Sequence, residues 1–188
     1  NKFSKGVIFS CIAAIFWGLP QPLFFNELNH VETIEVVAHR GFWSFIFLFL
    51  LLILISNISD FIEIFKSRKR IFILTITAFL IAGNWAGFIY SVGQERVQDA
   101  SMGYFITPMI SIVLGYFFLN EKITKPKFAS VCLMLSGILF LFINLNQFPF
   151  LIIWIGTSWA IYGLLRKQVN VNPSIGLLYE TFIISLIS

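Results

Sequence analysis

Two ionisable residues, Arg40 and Glu180, lie near one end of long apolar segments. An unpaired charge at the centre of a bilayer costs about 2.5 to 3.5 kcal/mol on insertion scales, and less near the interface. We therefore expect the Arg40 side chain to adopt one of two orientations. Its guanidinium either extends to water at the interface, or turns inward and attracts an anionic or carboxylate-bearing molecule. In the inward arrangement Glu95 and Asp99, at the same side of the membrane, are alternative partners.

Glu180 suggests proton transfer, because a carboxyl group within a membrane can bind and release a proton along a transport path. We therefore regard it as a candidate coupling carboxylate. The alternative is an interfacial carboxylate, or one at a helix N-terminus, where the helix dipole favours negative charge. Arg40 enters the membrane from the opposite side, so at about 1.5 Å per residue the two lie more than about 10 Å apart. No direct ion pair between them is expected.

Glu35 and His39 share one face of a predicted helix, at the spacing of two metal ligands. The sequence shows no third ligand, so we expect neither a metal site nor a cofactor. Cys11 and Cys132 lie in apolar segments and are expected to act as small hydrophobic side chains.

The elements that position these residues are apolar segments long enough to cross a membrane. The 188 residues are 58% hydrophobic and 12% charged, which exceeds what a soluble core of this size can bury. Each segment has about 16 to 21 residues, enough for a helix to cross about 30 Å of hydrocarbon. The sequence therefore predicts an all-α membrane protein, a polytopic transmembrane helix bundle. The predicted spans are Gly6 to Phe25, Val36 to Ser56, Ile71 to Ser91, Ala100 to Leu119, Phe128 to Ile143 and Phe148 to Leu165, with a last one opening near Ile175.

Basic residues occur almost entirely in every second loop, which by the positive-inside rule places those loops and the N-terminus in the cytoplasm. Arg96 lies in an opposite loop and Arg40 within a span. No basic patch suggests a nucleic acid. The residues on the predicted cytoplasmic side are Lys2, Lys5, Lys66, Arg68, Lys69, Arg70, Lys122, Lys125, Lys127, Arg166 and Lys167.

An internal repeat relates the two ends of the chain. A shift of 145 positions places Trp17-Gly18-Leu19 on Tyr162-Gly163-Leu164 and Ile34-Glu35 on Tyr179-Glu180. Five predicted spans separate the copies, so the second copy enters the membrane from the opposite side, as in inverted-repeat transporters. We therefore predict a first five-helix repeat over residues 1–145 and the incomplete start of a second, inverted repeat over 146–188. The chain ends within an apolar run, which leads us to expect a fragment of a longer transporter.

Two ordered sets of residues carry a family resemblance. The first set is Gly103-Tyr104-Phe105, Thr107-Pro108, Gly115, Leu119-Asn120-Glu121 and Ser136-Gly137. The second set is His39-Arg40, Trp43-Ser44, Gly83-Asn84-Trp85, Ala100-Ser101, Tyr162-Gly163-Leu164 and Arg166-Lys167. The first set resembles the second half of an EamA domain of the drug/metabolite transporter superfamily, and the second resembles its RarD branch, named for chloramphenicol sensitivity.

The resemblance implies an inner-membrane carrier of ten helices in two inverted repeats, of which this chain has about six and a half. It also implies export of an amphipathic metabolite or drug-like molecule. Asn120 departs from the family, which commonly has Gly before the Glu.

Small residues recur every four positions along three spans and predict close helix packing or, beside polar and aromatic residues, the wall of a cavity. These stripes are Ser10, Ala14 and Gly18; Gly83, Gly87 and Ser91; and Gly103, Thr107, Ser111 and Gly115. The predicted substrate-cavity residues are Trp17, Gln21, His39, Arg40, Asn84, Tyr90, Tyr104, Thr107, Ser111, Trp159 and Tyr162.

Prolines are expected to bend two spans because each removes a helical hydrogen bond. Pro20 and Pro22 lie at the outer end of the first span, and Pro108 lies midway along the fourth. Pro20 and Pro108 are candidate hinges, with an inert kink as the alternative.

These observations predict a secondary-active transporter that works by alternating access, with the lipid bilayer and a small-molecule substrate as partners. Substrate, coupling ion and oligomeric state are not determined by the sequence. The alternatives are an intramembrane enzyme and a non-transporting membrane subunit. We do not expect an enzyme, because HExxH, GxSxG and paired intramembrane aspartates are absent and acid/base chemistry would rest on Glu35, His39 and Glu180.

Overall fold

The computed structural model describes residues 2–54, 58–143 and 149–187. Within these ranges the chain forms nine helices and no strand. In chain order they are α1 (Lys2–Gly18), α2 (Pro20–Glu27), α3 (Thr33–Leu54), α4 (Ile58–Ile64), α5 (Arg68–Gly93), α6 (Val97–Leu119), α7 (Lys125–Ile143), α8 (Phe150–Val169) and α9 (Pro173–Ile187).

The predicted fold class is confirmed: the first predicted span falls on α1 and α2, and each of the others falls on a single helix. The predicted end at Ser56 and the predicted start at Phe148 lie outside the described residues. Four helical stretches have both the length and the apolar character to cross a membrane: Gly6–Glu27, Thr33–Leu54, Arg68–Gly93 and Val97–Leu119. The described part of α9 is a shorter apolar helix. The helices α7 and α8 carry Lys or Arg at one end, which shortens their apolar portions.

The proline pair near the end of the first predicted span divides it into two helices. The helix α1 ends at Gly18, and α2 begins at Pro20 with Pro at its first position. Proline lacks an amide hydrogen and has a fixed φ, so it suits the start of a helix and not its interior. In contrast, α6 continues through Pro108.

The short helix α4 has no counterpart among the predicted spans. Its Ile64 is buried against Leu52 of α3 and residues of α9, while Phe61 is half-buried and Ile62 is exposed. The helix lies in a loop that we predicted only from its basic residues, so a seven-residue element escaped an analysis based on spans.

The helix α5 is the centre of the bundle, because it packs against α8, α9, α3 and α6. About half of its most apolar window is buried, whereas none of the corresponding window of α1 and α2 is. Large apolar side chains of α1 and α7 point outward, as expected for surfaces that lipid covers. The remaining close contacts join α6 to α8 and α3 to α9.

Two glycines allow α6 and α8 to approach closely. A Cβ atom added at Gly156 would lie 2.7 Å from the carbonyl oxygen of Gly103, and one added at Gly103 would lie 2.8 Å from the Cβ atom of Ile155. Small residues permit such contacts where lipid provides no hydrophobic drive for helix association. Gly83 and Gly87 similarly receive the indole of Trp154, whose Nε1 donates a hydrogen bond to the Gly83 carbonyl at 2.9 Å.

The stripe of the first span has a different role, because no described atom would lie within 4 Å of a Cβ added at Gly18. Ala14 and Gly18 instead border an open cavity.

Asn120 ends α6 in the left-handed conformation, with φ 53° and ψ 31°. Glycine adopts this conformation without strain, and asparagine is the side-chain-bearing residue that tolerates it best. The departure from the family pattern at this position therefore preserves the shape of the helix end.

Candidate functional site

A cavity of about 510 Å³ opens between α1, α2, α3, α5, α6 and α8. Its wall is mainly aromatic and apolar. The aromatic lining residues are Trp17, Trp85, Phe88, Tyr104 and Trp159, and the charged or polar ones are Gln21, Arg40, Ser101 and Thr107. Such a wall suits a small molecule with a large apolar part and few polar groups.

Three aromatic rings form one side of the cavity. Trp17 lies 6.2 Å from Tyr104 and 5.7 Å from Trp159 between ring centroids, and Tyr104 lies 6.2 Å from Trp159. Trp159 also stacks on Tyr162, with centroids 5.1 Å apart and an interplanar angle of 17°. The helix α8 therefore connects the cavity wall to a polar cluster behind it.

Arg40 points inward from α3 and lies over the Trp85 ring, with its guanidinium carbon 4.1 Å from the ring centroid. The Phe25 ring is 5.6 Å away on another side. Its Nη1 atom is buried and has no hydrogen-bond partner among the described residues. Asp99, one of the two alternative partners, is 2.5 Å from Arg96 instead. Of the two predicted arrangements, the structure has the inward one.

Asn84 is fully buried on α5 behind the cavity wall. Its Nδ2 atom donates to the Ile155 carbonyl and to the Ser158 hydroxyl, each at 2.9 Å, and its Oδ1 accepts from the Tyr104 hydroxyl at 2.9 Å. Asn84 therefore holds a lining tyrosine in place and joins α5, α6 and α8.

Glu180 lies in a polar cluster on the far side of Tyr162, and its side chain is 0% exposed. Thr77 of α5 donates a hydrogen bond to Oε1 at 2.7 Å, and Tyr162 of α8 donates to Oε2 at 3.0 Å. The Arg166 Nε atom is 3.6 Å from Oε1, and Arg166 also donates to the Pro173 carbonyl. The carboxylate is enclosed by α5, α8 and α9.

The structure separates several of the residues that the sequence placed in one cavity. Gln21, Thr107 and Pro108 line it with Trp17, Arg40, Tyr104 and Trp159. Ser111 borders a second depression, near Glu121 and Lys167. His39, Tyr90 and Pro20 are exposed outside the cavity.

The shared face of Glu35 and His39 is exposed on α3. Among the described residues no three His, Cys, Asp or Glu side chains are grouped so that they could hold a metal ion. Cys11 and Cys132 are both exposed and unbonded to each other.

Residues 4–143 match the profile of the EamA-like transporter family. The chain belongs to the EamA-like transporter family. It is 34% identical to Protein RarD of Escherichia coli strain K12 and 33% identical to an uncharacterized transporter of Vibrio cholerae, in each case over 94% of this chain. It is also 31% identical to the uncharacterized transporter YojE of Bacillus subtilis, over 96% of this chain.

The chain spans about 60% of the length of these relatives: 60% of RarD, 58% of the Vibrio protein and 61% of YojE. No solved structure matches it significantly. The resemblance to EamA and RarD-type transporters that the motifs indicated is thereby confirmed.

The segment that matches the EamA-like family ends at residue 143, before α8 begins. Arg40, Asn84 and Tyr104 lie within the matched segment, whereas Trp159, Tyr162, Arg166 and Glu180 follow it. The cavity wall is therefore completed by α8, and the Glu180 cluster by α8 and α9, as these helices pack against the EamA-like segment.

The sequence did not indicate several residues of this EamA-like site, among them the lining residues Trp85, Phe88 and Ser101 and the neighbouring residues Phe25, Thr77 and Arg166. Trp85 follows Asn84 within a motif that carried the resemblance, so its position offered a signal. Arg166 was assigned to a cytoplasmic loop because it adjoins Lys167, but α8 extends to Val169 and includes both. Phe25 and Thr77 carried no signal, since both are ordinary residues in apolar segments.

Glu121 joins the α6–α7 loop to α8 in this EamA-like bundle. Lys167 Nζ donates to its Oε1 at 2.5 Å, and Lys127 Nζ lies 3.9 Å from its Oε2. The Glu121 carboxylate faces these two lysines. The hydrogen bond and positive charge of Lys167 lower the pKa of the Glu121 carboxyl from 4.5.

We expect the Glu121 ion pair to stabilise the fold in a pH-dependent way. A carboxyl whose pKa is depressed in the folded state stabilises that state fully above its unfolded pKa, and the contribution disappears as pH falls through the folded value. The melting temperature of Glu121→Gln should therefore lie slightly below that of the parent at neutral pH, and the difference should shrink below pH 4.5. A difference that is constant or grows on acidification would contradict this assignment.

Proposed function

We propose that the full-length protein is a secondary-active transporter of the bacterial inner membrane. It moves a small amphipathic metabolite or drug-like molecule outward by alternating access, with the N-terminus in the cytoplasm. The observation that carries this proposal is the aromatic cavity around Trp17, Tyr104 and Trp159, with Arg40 at its edge, inside a bundle of membrane-spanning helices. Its volume of about 510 Å³ falls in the range of roughly 300 to 1,000 Å³ typical of small-molecule sites.

Alternating access requires two bodies that move relative to each other around the substrate. We assign residues 1–145 to the first inverted repeat and 146–188 to the beginning of the second. The packing of α8 and α9 on α3, α5 and α6 supports a cavity at the interface of these repeats, because α8 contributes Trp159 to the wall. Pro20 and Pro108 are our candidate hinges: Pro108 lines the cavity, and Pro20 begins α2 directly before the lining residue Gln21.

Glu180 is our candidate for the coupling carboxylate. Its position supports this role, because the stacked pair Trp159 and Tyr162 connects the cavity wall to its carboxylate. A proton on Glu180 would remove its attraction for Arg166 and leave the cluster between α5, α8 and α9 with a net positive charge. Motion of α8 can thereby be linked to the protonation state of a group outside the substrate cavity.

Transport by Tyr104 variants provides the test. We expect Tyr104→Ala to reduce kcat/KM for transport in proteoliposomes by about tenfold, equivalent to about 1.4 kcal/mol, because the variant removes an aromatic wall and the partner of Asn84. Tyr104→Phe keeps the ring and should retain most activity.

The matched control is Phe105→Ala. It truncates the neighbouring aromatic side chain on α6, which is exposed and does not line the cavity. Flux should be compared at equal amounts of reconstituted, folded full-length protein. Equal flux for the parent and Tyr104→Ala would remove Tyr104 from the substrate path. No transport of any compound by the parent would overturn the proposal itself.

A further inference from the structure

We propose that the cavity selects organic anions, namely amphipathic molecules with a planar apolar body and a carboxylate group that binds the guanidinium of Arg40. This inference rests on the proposed transport function and specifies the substrate class of the same site. The evidence is the charge, the contacts and the hydrogen-bonding state of the polar groups in the wall.

The first observation concerns charge. Arg40 is the charged residue in the described wall, and none of the lining residues is acidic. The ion pairs within the described part of the chain use Lys66, Arg96, Lys127, Arg166 and Lys167, and Arg40 takes part in none of them. A cationic ligand would therefore meet a like charge and no carboxylate.

The second observation concerns the guanidinium itself. The Trp85 ring covers one face of the guanidinium, with its centroid 4.1 Å from the guanidinium carbon, and its electrons stabilise the positive charge. This contact leaves the N–H groups in the plane of the guanidinium without an acceptor from Trp85. The buried Nη1 atom has no acceptor among the described residues. The N–H groups of arginine lie in the plane of the guanidinium and match the two oxygens of a carboxylate. Because a buried unpaired cation is costly, a ligand that brings an anion gains binding energy here.

The third observation concerns the other polar groups of the wall. The hydroxyl of Ser101 donates to the Val97 carbonyl, and that of Thr107 lies within 3.4 Å of the Gly103 and Gly156 carbonyls. The hydroxyl of Tyr104 donates to Asn84. These hydrogens are already used, so the donors that remain for a ligand in the described wall are Arg40, the Gln21 amide and the indole N–H groups of the three lining tryptophans. Of these donors only the Arg40 guanidinium carries a charge, which favours an anionic head on an apolar body.

A matched series of probes tests the inference. The probes are 3-phenylpropionate, 3-phenylpropionamide and 3-phenylpropylammonium, which share one ring and linker and differ in charge. We expect the full-length protein, in vesicles of zwitterionic lipid, to bind the carboxylate at least about tenfold more tightly than the amide. The ammonium compound should bind more weakly than the amide.

Two variants separate Arg40 from general electrostatics. Arg40→Gln should reduce the preference for carboxylate over amide to about twofold or less. Arg96→Gln, which removes an arginine already paired with Asp99, should leave the preference unchanged. If Arg40→Gln fails to fold, the ranking of the three probes by the parent protein still decides the question.

A lipid headgroup phosphate offers the same anionic chemistry, so the series is repeated in vesicles that contain phosphatidylglycerol. If the carboxylate binds more weakly in these vesicles than in vesicles of zwitterionic lipid, a lipid phosphate competes with it for the same anion site. Equal binding of carboxylate and amide by the parent would overturn the inference. The inference would also be overturned if Arg40→Gln kept the preference for carboxylate over amide, or if the other two probes were transported while the carboxylate did not bind. Failure of the parent to transport any compound would instead overturn the proposed function.

Discussion

Replacing Arg166 with Leu is expected to lower the free energy of unfolding by about 3 to 5 kcal/mol. The reason is the environment of Glu180, whose side chain is 0% exposed and whose charged partner Arg166 is only 12% exposed. Removing one member of a buried ion pair leaves the other charge without compensation in a medium that solvates it poorly. Thr77 and Tyr162 still donate hydrogen bonds to Glu180 in the variant, but they carry no charge.

The matched control lies one residue along the same helix. Lys167→Leu removes an ion pair between Lys167 and Glu121, whose side chains are 62% and 40% exposed. Exposed pairs contribute about 0 to 1 kcal/mol, so this variant should change stability little. The double variant Arg166→Leu with Glu180→Leu should recover much of the loss, because an apolar pair replaces both charges.

Stability is measured by thermal unfolding of the full-length protein in detergent micelles, with the parent and the three variants prepared side by side. Equal destabilisation by Arg166→Leu and Lys167→Leu would show that Glu180 does not depend on a buried partner. A double variant that is much less stable than Arg166→Leu would mean that the cluster stabilises through its hydrogen bonds rather than its charges.

Gly156→Ala should destabilise the protein by about 1 to 3 kcal/mol, whereas Gly163→Ala on the same helix should be neutral or stabilising. A methyl group at Gly156 would lie 2.7 Å from the backbone oxygen of Gly103, which cannot move without shifting α6. At Gly163 no described atom lies within 4 Å of the added methyl group. Alanine also favours helix over glycine by about 1 kcal/mol, so the two substitutions are expected to differ in sign.

The same unfolding assay compares these two glycine variants, and flux in proteoliposomes adds a second measurement. Gly156→Ala separates α6 from α8, which carry Tyr104 and Trp159, so the cavity should also change shape. Unfolding temperatures that rise equally in both variants would mean that α6 and α8 do not approach each other as closely as described.

The sequence predicted the spans and the helix break because each depends on local chemistry. Apolar length identifies helices such as α3 and α5, and the geometry of proline ends α1 before Pro20. The short helix α4 escaped prediction because its seven residues carry no spanning pattern.

The site was predictable only in part, because contacts between distant residues depend on how helices rotate and pack. Asn84 and Tyr104 were both proposed for the cavity, and the structure joins them by a hydrogen bond, with Asn84 behind the wall. Glu35 and Glu180 occupy matching positions of the proposed repeat, yet Glu35 is exposed and Glu180 is buried. The spacing of residues does not tell how α3 and α5 are rotated about their axes. It therefore does not tell that Trp85 lies over Arg40 or that His39 is exposed.

Accessibility of introduced cysteines tests most directly the central claim that lipid surrounds this bundle while water enters its aromatic cavity. In a full-length background with Cys11→Ala and Cys132→Ala, single cysteines replace Thr107, which lines the cavity, or Ser136, which is exposed on α7. A water-soluble maleimide reacts with the thiolate, which requires water. We predict labelling of Thr107→Cys and little or none of Ser136→Cys in intact vesicles. Labelling of Ser136→Cys with Thr107→Cys unreactive would contradict the account.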